Sequence, residues 1–285
     1  MILLIDIDST IPNLALKKAE KYYLDRGHEV IWDIKLLATQ AEKIYVSCIF
    51  KDNRAQAEQY EVYDNALIGG SGYSLSIELS PEIEAIKPRI NYGFTTRGCI
   101  RKCKFCIVPE KEGKVHVVGD LLDLWDGRSK EITVMDNNIL ALPDHFQMVC
   151  GQAQANKIKV DFNQGLDHRL LTPEICKVLK KTSHSEYRLA YDSPNSFMKR
   201  TVDVAIDMLA EAGINRCMWY VLVGFNSTIE EDFQRLEHLR ERKQNAYVMR
   251  YNKNPEYIIM ASWANQPKFF KVMDYQTFKH ARQNR

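Results

Sequence analysis

Two hydrophobic rhythms take turns along the first ninety residues. MILLIDID opens with an apolar run closed by acids, the pattern of a short buried strand, and HEVIWDI, KIYVSCIF and NALIGG repeat it. Between the first two, Ala15, Ala19, Tyr22, Tyr23 and Arg26 recur at i, i+4, i+7, i+8 and i+11. That spacing predicts one face of a helix opened by Pro12 and ended by Gly27. NRAQAEQYEVY predicts a second helix ahead of the fourth strand. Strands separated by helical stretches predict a parallel sheet with crossover connections, here a small Rossmann-like α/β domain over residues 1–88. Two prolines in SPEIEAIKPRI mark a connector after it.

The rhythm then restarts. Strands are predicted at 91–96, 131–136, 158–163, 187–192, 217–223 and 245–251. Thr172 and Pro173 open a helix in LTPEICKVLKK, as N-cap and first helical position. In RTVDVAIDMLAEAG, Val202, Ala205, Ile206, Leu209 and Ala210 form an apolar stripe, and Gly213 stops it. Thr228 and Glu231 stand at capping-box spacing in TIEEDFQRLEHLRER. Six strand units are two short of a closed eight-stranded barrel. The expectation for 89–252 is therefore an open (β/α)6 partial TIM barrel. A doubly wound sheet is the alternative, because periodicity does not report strand order. Residues 253–285 show no further strand–helix unit and predict a C-terminal extension with a basic, helix-like end.

Composition changes this picture little. The chain is 45% hydrophobic and 27% charged with a net charge of +2, without the bulk basic excess of a nucleic-acid binder. The charge is unevenly spread: residues 1–90 carry a net −4, so 91–285 carry +6. A mildly basic second half favours an anionic substrate such as a nucleotide or RNA over a peptide or small molecule; solvated helix faces account for the same charges more simply. No basic segment precedes the first apolar run, and no run nears the roughly 20 residues of a membrane span. A cytoplasmic, reducing setting with no membrane partner is expected, where clustered cysteines signal metal or catalysis.

Such a cluster exists. TTRGCIRKCKFCIVPEKEG, from Thr95 to Gly113, holds Cys99, Cys103 and Cys106, three of the chain's seven cysteines. Arg97, Arg101, Lys102 and Lys104 surround them. The loop follows the first strand of the second half, at the end where α/β folds place their chemistry. Structural zinc normally takes four protein ligands, and a cubane iron–sulfur cluster normally takes four cysteines. Three thiolates leave one metal corner open, and nearby cations favour thiolate. Cys48, Cys150, Cys176 and Cys217 stand singly in apolar contexts, as small buried side chains do.

Cys99-x3-Cys103-x2-Cys106, preceded by TTRG and containing Phe105, resembles the cluster loop of the radical S-adenosylmethionine (SAM) superfamily. The likeness covers roughly 91–251. The continuation from Cys106 to Pro109 with Gly113 is similar to the tRNA methylthiotransferase and cobalamin-associated branches. The resemblance implies a 4Fe-4S cluster on Cys99, Cys103 and Cys106, with SAM chelating the open iron. It implies a one-electron reductant of flavodoxin or ferredoxin type. Reductive cleavage of SAM would give methionine and a 5′-deoxyadenosyl radical that abstracts hydrogen from a substrate.

It also nominates strand-end residues for SAM. Phe105 lies in the loop. Asn137 and Asn138 stand where many members carry a GGE-like element, with an ordinary Asx turn as the alternative. Gln164 and Asp167 come from NQGLDHR. Arg188 is a candidate for the SAM carboxylate and Asp192 for the ribose hydroxyls, with a structural Arg–Asp pair as the alternative. Gly224 sits in VLVGFNSTIEEDF, similar to the family's VGFPGET turn, with Thr228 where the family has an acid. Tyr251 is a candidate to stack on adenine, or else a core residue.

The first ninety residues weakly resemble the cobalamin-binding domain of related enzymes but lack its D-x-H-x-x-G motif. A degenerate domain that packs on the barrel, without cobalamin, is expected. GGSG at 69–72 is a weak candidate phosphate cradle. A methylthiotransferase should carry a second cysteine triplet and a C-terminal RNA-binding barrel, and neither pattern is present. The competing reading is a non-catalytic nucleic-acid-binding protein stabilised by zinc or an iron–sulfur centre. In it the three thiolates and His116 hold the metal and the basic tail grips RNA.

Overall fold

The computed structural model describes residues 1–184 and 186–283. Two compact units result: Met1–Gly93 with Asp123–Gly127 form one, and the other described residues form the second.

The first unit runs β1 (Ile2–Asp6), α1 (Leu14–Leu24), β2 (Val30–Trp32), β3 (Lys43–Ser47), α2 (Arg54–Glu58), β4 (Ala66–Gly69), α3 (Pro81–Glu84) and β5 (Tyr92–Gly93). The first four strands form a parallel sheet in the order β2-β1-β3-β4. Alternate residues serve its two faces. Leu3, Ile5, Ile44 and Val46 join one buried cluster, while Ile2, Leu4 and Tyr45 join another with Leu16 and Ala19 of α1. Covering both faces is why the strands read as continuous apolar runs. The buried stripe of α1 is Leu16, Ala19 and the half-buried Tyr23, and Ala15 and Arg26 are exposed. The face is thus rotated by about one residue from the predicted one, because it is built on the larger Leu16. The helix in NRAQAEQYEVY stops at Glu58, after barely more than one turn.

In such sheets the crevice beyond β1 and β3 is the usual ligand position. Here Asp8 stitches it shut, accepting from Ile49 N at 2.8 Å, Phe50 N at 2.9 Å and Asn53 Nδ2 at 3.1 Å. Burial pushes its carboxyl up, but these donors outweigh burial and hold it below the ordinary value. In GGSG, the Gly72 N–H donates to Cys48 O at 2.9 Å, so that turn is bound to its own chain.

The second unit continues with β6 (Thr96–Arg97), α4 (Val108–Lys111) and β7 (His116–Val117), then α5 (Leu121–Leu124), which spans the junction. β8 (Glu131–Val134), α6 (Pro143–Asn156), β9 (Lys159–Phe162), α7 (Pro173–Lys181), β10 (Arg188–Ala190) and α8 (Ser196–Glu211) follow. β11 (Met218–Val223), α9 (Ile229–Glu241), β12 (Asn245–Arg250), α10 (Pro255–Ala264), α11 (Pro267–Phe270) and α12 (Tyr275–Gln283) complete it. β8 pairs with β9, β10 with β11 and β11 with β12, all parallel. Leu166, just past β9, bridges Leu189 of β10 in the same sense. The fold class is α/β with parallel sheets.

One face of these strands is apolar and buried: Ile132 and Val134, Val160 and Phe162, Leu189, Trp219 and Val221, Ala246 and Val248. The opposite face carries Thr133, Asp161, Arg188, Tyr220 and Tyr247, at alternating positions. α6 shows what the apolar face meets, with the Phe146 ring 5.8 Å from Phe162. The caps form as the sequence indicates. Thr172 accepts from Ile175 N at 3.2 Å, and Thr228 and Glu231 complete a reciprocal box. α8 starts earlier than its stripe suggested, because Asn195 accepts from Met198 N at 2.7 Å.

The predicted strand 91–96 is broken in two. Asp136, just past β8, accepts from Thr95 N at 2.6 Å and Thr96 N at 2.9 Å. Those N–H groups are thereby diverted from a ladder, and Thr96–Arg97 instead pairs antiparallel with β7. Beyond β12 the chain forms three helices around Trp263, whose ring lies 4.9 Å from Phe270 and 5.3 Å from Tyr275. Among the described residues no helix is long and apolar enough to cross a membrane.

Candidate functional site

The cysteine loop is closed at its base before any ligand is considered. Gly98 has φ +80°, and a Cβ there would lie 2.4 Å from Lys114 O, so only glycine fits. Cys99 N donates to Gly113 O at 3.1 Å. Glu112 clamps the closure: it accepts from Gly98 N at 2.9 Å, pairs with Arg97 at 2.8 Å and also accepts from Asn137 Nδ2. One largely buried carboxylate therefore ties both ends of the loop to Asn137, three residues past β8. Second-layer groups of this kind hold ligands in place and change metal affinity by roughly 10- to 100-fold. Were the loop to hold a metal, Glu112→Ala would hasten its loss to a chelator by about that factor. Unchanged loss kinetics in a variant with wild-type melting would refute the clamp.

All seven cysteines are free thiols; Cys99 and Cys103 are partly accessible and Cys106 is exposed. Cys106 N donates to Cys103 O at 3.0 Å, a tight turn within the triplet. Cys99 Sγ accepts from Arg101 N at 3.3 Å and from Asn138 Nδ2 at 3.5 Å. Burial pushes the Cys103 thiol up, reinforced by Asp192, Cys106 and Cys99 and opposed by Arg169. Burial likewise raises Cys106, opposed by the Val108 N–H and reinforced by Cys99, Asp192 and Glu112. The three sulfurs lie within one another's electrostatic reach, with Asp192 and Arg169 beside them. Among the described residues, no group of three or more His, Cys, Asp or Glu side chains is gathered on a metal-sized centre. His116 is exposed, its Nδ1 2.9 Å from Lys114 O.

Asp167 is the hub. Its carboxylate accepts from Arg101 Nε at 2.8 Å, Arg169 Nε at 2.6 Å and Asn138 Nδ2 at 3.3 Å. Burial pushes that carboxyl up, but the two guanidinium groups win and hold it below the ordinary value. Asn138 is 3% exposed, and its Oδ1 is buried with no hydrogen-bond partner. Its Nδ2 is shared between Cys99 Sγ and Asp167, so the unpaired Oδ1 lies beside the loop. Burial raises Asp192 to about 6; Arg235 and Arg169 pull it back and Asp167 pushes it further.

The turn after β11 supplies the last wall. Gly224 has φ +80°, and a Cβ would come 2.6 Å from Asn252 Nδ2 and from the Tyr257 ring. Its N–H donates to Asp232 Oδ2 at 2.8 Å. Asp232 pairs with Arg235, which donates to Leu222 O at 2.6 Å and Tyr191 O at 2.5 Å. Two buried charges thus fix the ends of β10 and β11, including the residue before Asp192. Phe225 stands 5.4 Å from Phe105 and 4.8 Å from Tyr251. Tyr251 is 55% exposed, so it is not a core residue.

The structure thus brings Cys99, Cys103, Cys106, Asn138, Asp167 and Asp192 together, with Asn137 bound at the loop's base and Phe105 at its aromatic side. Gln164 is exposed, its Nε2 3.7 Å from Met135 Sδ, and Arg188 pairs with Asp161 on β9. Glu112, Arg101, Arg169, Phe225 and the Asp232–Arg235 pair were not predicted as site residues. Asp232 follows the capping-box acid directly, and that pattern explains its neighbours well enough to hide it.

Next to the hub, His168 is buried, its Nε2 3.0 Å from Thr201 Oγ1 and its ring 5.6 Å from Trp219. Burial lowers its pKa to about 4. The unfolded chain takes up this proton near the ordinary value of about 6.5, before the folded chain does. Stability from His168 is therefore present above that value and lost as pH falls towards 4. Denaturant melts of His168→Gln against the parent, taken across this window, should show a flatter pH dependence in the variant. Parallel curves would contradict the assignment.

No protein-family model matches this chain, and no curated protein matches it.

Proposed function

We propose that this protein is a radical SAM enzyme whose cluster loop is Cys99–Cys106, carried by an open six-unit partial barrel over 89–252. The observation that carries the reading is the orphaned Asn138 Oδ1 beside a loop of three free, accessible thiols. The parallel pair β8–β9 and the parallel trio β10–β11–β12, linked by the Leu166–Leu189 bridge, are in keeping with an open barrel. Three sulfurs on one loop are the donor set a 4Fe-4S cluster with one iron left for SAM would take. When bound, the cluster supplies one electron to the SAM sulfonium. That chemistry would be reductive cleavage of SAM and hydrogen abstraction from the substrate. A flavodoxin or ferredoxin type protein is the class of reductant this requires.

The chain's own residues bind and orient. Cys99, Cys103 and Cys106 hold the metal. Asn138 Oδ1 accepts from the SAM amino group, which supplies the missing donor. Arg169, its Nε on Asp167 but within electrostatic reach of Cys103, is the cation for the SAM carboxylate, and Arg188 pairs with Asp161. Asp192 accepts from the ribose hydroxyls. Phe105, Phe225 and Tyr251, in ring contact beside the Gly224 turn, would flank the adenine. Asp167 acts one layer out, holding Asn138, Arg101 and Arg169 in register. The substrate is a nucleotide or RNA in this reading, in keeping with the +6 charge of residues 91–285.

The test is anaerobic reconstitution, reduction in the presence of SAM, and detection of 5′-deoxyadenosine by mass spectrometry. Roughly four irons per chain and nucleoside release support the reading. A colourless protein with one zinc and no nucleoside would favour the metal-stabilised binding protein instead.

A further inference from the structure

β12 is the edge of its three-stranded ladder, and its solvent-facing residues are unusual. Tyr247 is 44% exposed, Met249 45% and Tyr251 55%, at every second position and so on one face. Edge strands of ordinary sheets avoid a row of large apolar side chains, because such a row associates with whatever it meets. The row is also buttressed. The Tyr247 ring packs edge-on against Tyr220, centroids 5.8 Å apart. Tyr220 is itself locked, its hydroxyl donating to Asn163 O at 2.8 Å. A rigid exposed ring loses little entropy on binding, which is the property of a docking platform rather than of stray surface.

The strand's backbone says what does not bind. Asn245 N and Tyr251 N point to β11, so the even-numbered residues face the open edge. At the middle of that edge Asn265 takes both groups of Val248, donating to its carbonyl at 3.3 Å and accepting from its N–H at 2.6 Å. A peptide adding as a further strand needs those groups and finds them occupied. What remains available is the side-chain face, and its upper end meets the cysteine loop through Tyr251, Phe225 and Phe105. Lys102 and Lys104, just before Phe105, are exposed.

We infer that Tyr247 and Met249 form a ramp, rising to the adenine-flanking Tyr251, on which the bases of a single-stranded nucleic acid stack, with Lys102 and Lys104 meeting its phosphates. Aromatic steps bordered by cations are the chemistry of strand binding without base readout. The ramp leads to the proposed SAM site, so this deepens that reading by giving the substrate class as a nucleotide within an unpaired strand.

The experiment uses the full chain, without SAM or reductant. Fluorescence anisotropy is followed with labelled oligouridine, and with the same oligomer paired to oligoadenosine. Tighter binding of the single strand is expected, weakened about tenfold in Tyr247→Ala/Met249→Ala. Tyr247→Phe should bind as the parent does, since the ring and not the hydroxyl does the stacking. Lys102→Gln/Lys104→Gln should lower the slope of log affinity against log salt by about 1.4. Equal affinity for the duplex, an alanine variant that binds normally, or capture of an extended apolar peptide instead of the strand would each overturn the inference. Failure here and failure of the radical reading are separable. A chain that binds the strand but releases no 5′-deoxyadenosine loses only the latter, and a nucleoside-releasing chain indifferent to the strand loses only the ramp.

Discussion

Serine in place of Cys103 is expected to abolish both iron retention and 5′-deoxyadenosine release, with the fold intact. A hydroxyl is a poor ligand for soft metal sites, which favour thiolate. With three protein sulfurs in all, losing one leaves two, too few to hold a cubane. Cys103 lies partly accessible on a loop rather than in a core, so its replacement should alter stability by no more than about 0.5 kcal/mol. Cys150 provides the contrast. It is fully buried, and burial raises its thiol to about 12. Cys150→Ser should lower the melting point yet keep its iron. Iron per chain, visible absorbance and nucleoside yield, measured on both variants, separate the two roles. Full iron in the Cys103 variant would end the cluster-loop assignment.

Methionine at Arg235 is expected to destabilise the chain by about 3–5 kcal/mol, the usual result of removing one partner of a buried ion pair. Asp232 is 0% exposed and Arg235 2%, and the guanidinium also satisfies Tyr191 O and Leu222 O. The single variant strands a carboxylate and two carbonyls away from water. Asp232→Leu together with Arg235→Met removes both charges and should recover part of the loss, because no charge is then left buried without a partner. Denaturant melts of the two single variants and the double variant give the coupling directly. Additive losses would mean that the pair does not act as a unit. A functional readout distinguishes positioning from bulk stability. The pair holds the turn at Gly224 and the residue before Asp192, so even below its melting point the Arg235 variant should bind SAM more weakly than the parent.

The α/β alternation was legible because both of its signals are local. Apolar runs such as MILLIDID and KIYVSCIF mark strands buried on both faces, and the caps at Thr172 and Thr228 are written within three or four residues. α10 was not legible for the opposite reason. Tyr257, Met260, Trp263 and Ala264 are buried in a segment that is apolar nearly all round, so no amphipathic period announces it. The predicted strand 91–96 failed because Asp136, forty residues on, captures the N–H groups of Thr95 and Thr96.

Sequence by itself determined most elements up to β12 apart from the broken strand at 91–96, their parallel connection and the cysteine spacing, since propensity, capping and short-range spacing act within a few residues. Only the tertiary structure decided which strand-end groups meet. Asn138, Asp167 and Asp192 converge on the loop, Arg188 turns to Asp161, and Glu112 reaches back across its own loop to Gly98. Such pairings depend on the order in which strands lie side by side and on competition between partners distant in the chain. No local pattern encodes either.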